Sequence, residues 1–299
     1  MSAVPPAFEG YGAERLPQAP AFGPGKNGVL EATLARENGG ETRLVRDYVK
    51  VPYHLTGTLD TDSAPGLATL VTQEPTGGVA QGDRHRLDVT ARPTARAHVT
   101  TQSATKVHSM HANYAHLDAT LTAESGAHLE YLPGATIVNE DARCLQTVSV
   151  DLAEDAVVVV GDVLVPGGLS AHETFGFDHY HARVEARCDG RLLCADAVDL
   201  RPSDRNPRDP ATVGEYDVVG SLYVFAPSED GASLADAVHD RLVACDGVRA
   251  GASTLPYDAG ITVRILGDRS TDVEKAVFAA WDEIRLATLG VGAPADRRY

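Results

Sequence analysis

The sequence predicts a mainly β protein: a β-helical, solenoid-like stack of strands, with two α-helices in a C-terminal α+β portion. Three observations predict it. Apolar and polar residues alternate with a period of two through the middle of the chain. A two-strand pattern recurs there at spacings of 30 and 29 residues. Helical periodicity sets in only beyond residue 217.

The elements follow in order. Residues 1–27, rich in Pro and Gly, read as a disordered tail. A β-helical body is expected over 28–200. LDVTARPTARAHVTT from Leu87, LDATLTAESGAHLEY from Leu117 and VSVDLAEDAVVVVGD from Val148 each read as strand, short polar turn, strand. Ala97, Ala127 and Ala156 mark equivalent positions. A two-strand unit cannot bury its apolar face alone, and stacking several copies does so. ARVEARCDGRLLCADAVDL, from Ala182, reads as a hairpin about Asp189-Gly190, a pair suited to a type I′ turn. Residues 201–217 form a polar, proline-rich linker. Over 218–299, Gly220–Phe225 and Ile261–Leu266 read as strands, in an α+β portion packed on the body. Ser233–Cys245 and Thr271–Leu289 read as helices, with Ser233/Asp236 and Thr271/Glu274 as capping pairs.

Charge narrows the partners. The net charge is −16, and only Lys26, Lys50, Lys106 and Lys275 are lysines among 26 basic residues. Such a surface repels itself in dilute buffer. At roughly 1 M salt the Debye length is about 3 Å and the repulsion is largely screened, so the composition suggests a salt-loaded cytoplasm. Nucleic acid and anionic membrane would be repelled. No run of eighteen apolar residues occurs, and a signal-peptide pattern is missing, so a cytoplasmic location is expected.

Candidate chemistry is sparse. TTQSATKVHSMH, from Thr100, would place Thr101, Ser103, Thr105 and Val107 on one strand face and Gln102, Lys106 and His108 on the other. Lys and His in a row without a carboxylate make a poor acid/base set. In HETFGFDHYH, His179 and His181 share a strand face and suit a metal, with His172, Glu173 or Asp178 as further ligands. Cys188 and Cys194 would diverge in a regular two-residue hairpin, as packing thiols rather than ligands of one ion. GPGKNG lacks the first glycine and the Ser/Thr of a P-loop, GLSAH fails as a nucleophile elbow, and H-E-x-x-H is missing.

The run PTGGVAQGDRHRLDVTARPTARAHVTTQSATKVHS, from Pro75, resembles the urease accessory protein family UreD, also called UreH. Two glycines, Gly-Asp, an alternating strand and T-T-x-x-A-x-K carry the likeness: Gly77, Gly78, Gly82, Asp83, Thr100, Thr101, Ala104 and Lys106. Glu130, Tyr131 and Pro133, the DGRLL hairpin and ITVRILGD with its following helix extend it from about residue 28 to the end.

The resemblance implies a non-enzymatic chaperone. It would bind apo-urease with UreF and the GTPase UreG and help insert nickel, carried in transit past carboxylates, hydroxyls and an occasional histidine. No tightly held cofactor is expected. His172, His179, His181 and Asp83 are the candidate transient nickel contacts, although Asp83 also suits a hydrogen-bonding role in the glycine turn. Two alternatives stay open: a metal-dependent β-fold enzyme centred on His172, His179 and His181, and a stand-alone β-solenoid binding module.

Overall fold

The computed structural model describes residues 4–15, 25–37, 39–167 and 173–294. A short helix, α1 (Pro6–Gly12), precedes the body. The first solenoid turn runs through β1 (Asn27–Arg36), an excursion of β2 (Thr42–Lys50) and β3 (His54–Leu59), and β4 (Leu67–Gln73). The second comprises β5 (Arg84–Ala91), β6 (Arg96–Thr101) and β7 (Thr105–Val107). The third comprises β8 (Ala115–Ala123), β9 (His128–Tyr131) and β10 (Thr136–Val138), and the fourth β11 (Arg143–Leu152) and β12 (Val157–Val165). A hairpin of β13 (His179–Cys188) and β14 (Arg191–Leu200) follows. The chain ends with β15 (Val218–Phe225), α2 (Gly231–Val243), β16 (Val248–Thr254), β17 (Gly260–Gly267) and α3 (Ser270–Leu289).

Two sheets result. β1, β5, β8, β11 and β13 are parallel neighbours, edged by antiparallel β2 and β14. β4, β6, β9 and β12 form the second parallel ladder, edged by β3 and by β15, β17 and β16. Between the sheets, Leu30, Val89, Leu121 and Val150 meet Leu70, Val99, Leu129 and Val158. On the outer face of the second sheet, Val159, Leu222 and Val263 pack against Val238, Trp281 and Ile284 of α2 and α3. The solenoid expected from the repeat is therefore present, with four turns in the body.

Several local expectations change. The corners of three turns close with Ala95 N–H to Arg92 C=O, Ala127 N–H to Glu124 C=O and Ala156 N–H to Ala153 C=O. Ala95, not Ala97, thus matches Ala127 and Ala156. A slip of two leaves every side chain on its own face, which is why the pattern stayed readable. Thr100 to His111 is not one strand, because the chain bends at Gln102 and Ser103 between β6 and β7. A β-bulge at Ala186/Arg187 pairs Cys194 with Ala186 instead of Glu185. Both Cys188 and Cys194 then pack on the core between the sheets, contrary to the divergence a regular hairpin imposes.

Helix caps differ too. α2 starts at Gly231, and Asp230 caps it by accepting from the amides of Ala232 and Ser233. α3 starts at Ser270 with no side-chain cap. Part of the expected disordered tail is the third helix, α1, because Phe8 finds an apolar seat beside Tyr114 and Leu145 and is 0% exposed. The expected linker is folded against the body through Val213, which joins the cluster of Phe175, Phe177 and Tyr180. β15 continues the second sheet beyond β12, so the α+β portion shares the solenoid's hydrogen-bond ladder.

Candidate functional site

The glycine-framed segment is built around close backbone approach. Gly78 sits at φ 126°, and a β-carbon there would overlap the carbonyl oxygen of Lys106. That approach lets Val79 N–H reach Lys106 C=O at 2.8 Å and His108 N–H reach Val79 C=O at 2.9 Å. Gly82, at φ 78°, lies against Gly25. Asp83 is buried and accepts from the amides of Lys26 at 2.7 Å and Ala80 at 2.8 Å. The Lys26 ammonium is 3.1 Å from the same carboxylate and also donates to Gly78 C=O at 2.8 Å. With both oxygens bonded and a cation already beside it, Asp83 is poorly placed to hold a metal ion.

The paired threonines tie one turn to the next. The Thr100 hydroxyl donates to Leu132 C=O at 2.7 Å, and the Thr101 oxygen accepts from Gly134 N–H at 2.8 Å. Ala104 and Lys106 continue along this wall.

The wall borders a cavity of about 270 Å³ between the two sheets, where the apolar core stops. Glu74, His85, Thr101, Ser103, Lys106 and Gln146 contribute to its lining. His85 Nδ1 stands 3.5 Å from Glu74. Burial raises the Glu74 pKa, but His85, Thr76 and Lys26 outweigh it and hold the carboxyl below its ordinary range. At the back, the Tyr180 hydroxyl is 3.1 Å from both Gln146 Oε1 and Asp162 Oδ2. One hydroxyl hydrogen serves one acceptor only. Burial raises the Asp162 pKa and outweighs the hydrogen bonds from Tyr180 and Gln146.

The histidines of the HETFGFDHYH stretch lie elsewhere. His172 is outside the described residues. His179 and His181, on β13, point away from Tyr180 and toward the outer face of the first sheet. Asp199, opposite His181 on β14, joins them. Ligand atoms of the three lie within 4.8 Å of one another, a convergence that no other set of His, Cys, Asp or Glu reaches among the described residues. His179 Nε2 is 2.8 Å from Asp199 Oδ1, and His181 Nδ1 is 3.6 Å from Asp199 Oδ2. Burial lowers the pKa of both imidazoles and outweighs the carboxylate. Asp178, expected as a further ligand, instead pairs with Arg143 at 2.8 Å. Phe8 of α1 packs over His179 with ring centroids 4.3 Å apart. A substrate pocket at these histidines, as the enzyme alternative requires, would need that ring displaced.

A buried charge network went unpredicted. Glu130 is 0% exposed, with His128 Nε2 at 3.0 Å, His98 Nδ1 at 3.2 Å and Arg285 Nη1 at 3.7 Å. Trp281 stacks on His98 at 4.9 Å between centroids. Burial opposes the Glu130 charge, yet the two imidazoles hold its carboxyl well below the usual range. One signal was available: His98, His128 and Glu130 occupy positions on the helix-facing side of the second sheet where the fourth turn places Val157 and Val159.

Comparison with known proteins agrees with the geometry. The sequence model described as UreD urease accessory protein matches residues 26–298. The chain is 72% identical over 299 residues to a urease accessory protein UreD of Natronomonas pharaonis, covering 100% of both chains. It is 60% identical over 291 residues to that of Haloquadratum walsbyi, covering 97% of this chain and 95% of the relative. A Streptomyces griseus relative named urease accessory protein UreD 2 is 35% identical over 275 residues, covering 91% and 93%. The first two relatives come from halophilic archaea, in keeping with an acidic, lysine-poor surface.

Proposed function

The chain belongs to the UreD urease accessory protein family, and from that premise we propose that it is a cytoplasmic chaperone of urease maturation. In this reading it binds apo-urease together with UreF and the GTPase UreG, and helps nickel reach the urease active centre. The family is one of accessory proteins, and the chain is not an enzyme. No described helix is long and apolar enough to cross a membrane.

The observation that carries the reading is the cavity walled by the glycine-framed segment. Its carboxylate, imidazole, hydroxyl and amide groups are hard-to-borderline ligands that would hold a nickel ion loosely enough to release it. The second sheet and the Thr100/Thr101 ties keep that wall rigid, and chemistry that consumes GTP is left to a partner.

The test is co-expression with cognate UreF and UreG, followed by purification in molar KCl. A recovered complex, and urease activation that depends on this chain, are the expected results. If no complex forms and urease matures equally well without the chain, the reading is wrong.

A further inference from the structure

We propose that His179, His181 and Asp199 form a binding site for one borderline divalent cation of the zinc or nickel class, on the outer face of the first sheet and apart from the interior cavity. The inference does not depend on the role in urease maturation.

The hydrogen bonding here is incomplete in a particular way. Both ring nitrogens of His181, and Nδ1 of His179, are buried without a hydrogen-bond partner. His181 is 9% exposed and His179 0%. Unpaired buried polar groups are costly, so the His181 ring in particular calls for a ligand. His179 Nε2 faces a carboxylate and a guanidinium that are already paired with each other. Asp199 Oδ1 lies 2.8 Å from that nitrogen, and Arg201 Nε, 3.2 Å from the same nitrogen, also donates to Asp199 Oδ1 at 3.3 Å.

A metal ion would take the place that the guanidinium holds beside this carboxylate. It would take the Nε2 lone pair, an Asp199 oxygen and a His181 nitrogen together. Tetrahedral ligands about 2.1 Å from a common ion are about 3.4 Å apart, so the three atoms, now within 4.8 Å of one another, must close by up to about 1.4 Å. Arg201 is a resident positive charge, bonded to Asp199 at 3.0 Å, that holds the acidic group until a cation replaces it. The Asp199 and Arg201 side chains are 41% and 36% exposed, which leaves an entry from that edge. On the opposite side Phe8 and Tyr11 of α1 close over His179.

The test uses the full-length, untagged chain, stripped with chelator and titrated with zinc chloride or nickel chloride in molar KCl. One equivalent of either metal should bind with saturation and raise the melting temperature, and magnesium should do neither. His181→Ala and Asp199→Asn should each weaken binding at least tenfold, and Arg201→Gln should tighten it severalfold. Circular dichroism checks that each variant folds. Asp199→Asn, at the exposed edge, decides the matter if His181→Ala does not fold. Binding that is not saturable at one equivalent, or that survives Asp199→Asn unchanged, overturns the site. Unchanged or weakened affinity in Arg201→Gln overturns the placeholder role.

Discussion

Arg285, on α3, donates two hydrogen bonds to the carboxylate of Asp62, at 2.9 and 2.6 Å, across 223 residues of sequence. Both side chains are fully buried. Trp281 lies under the same guanidinium, 5.3 Å from its carbon, and Glu130 stands 3.7 Å away. This one cation therefore ties the last helix, the loop before β4 and the third turn of the solenoid together.

Removing one partner leaves the other charged in a dry setting, the costly way to break such a pair. Arg285→Ala and Asp62→Ala are each expected to lower stability by about 3–5 kcal/mol. Denaturant unfolding in molar KCl measures it, and the loss should persist there because salt screens buried pairs poorly. A cost below about 1 kcal/mol would show that water enters the network.

Acid should loosen the same region. A carboxyl held below its usual pKa stabilises the fold above the unfolded value, about 4.3, and that stability drains away as pH falls. Glu130 behaves this way, with Glu74 and Asp199 in the same direction. Melting temperature should fall steeply below about pH 4.3, and Glu130→Gln should flatten that limb without abolishing it. An unaltered acid limb in the variant would remove Glu130 from the account.

Two adjacent glycines should respond differently to alanine. Gly77, at φ 79°, has open space where a β-carbon would go, whereas Gly78, at φ 126°, has the Lys106 carbonyl there. Gly77→Ala should cost about 1 kcal/mol from conformation alone. Gly78→Ala should cost about 3 kcal/mol or more, since strain and overlap add. Thermal unfolding of the two variants ranks them, and the reverse order would refute the close-approach argument.

Low salt should destabilise the whole protein. With a net charge of −16 and four lysines, dialysis from molar to millimolar KCl lengthens the reach of carboxylate repulsion. The melting temperature should drop, and equal values at the two salt levels would refute the charge argument.

Much of the architecture was legible in local pattern. Alternation of period two marks strands whatever their partners, and recurrence near thirty residues marks stacking, so the solenoid and the late helices could be read directly. The glycine-framed motif was legible for a related reason: Gly78 has one conformation to satisfy, set by its own backbone and one neighbouring carbonyl. The Ala95 register and the bulge at Ala186/Arg187 were not, because a slip of two or a single inserted residue barely alters the pattern.

The sites divide the same way. Residue order placed His179 and His181 on one strand face, since neighbours two apart in a strand must share it. Asp199 as their companion, α1 as their cover, and Arg285 joined to Asp62 and Glu130 were decided only when distant segments folded together. Such groups meet through packing between elements, and nothing in the local chain encodes which distant charge will arrive beside them.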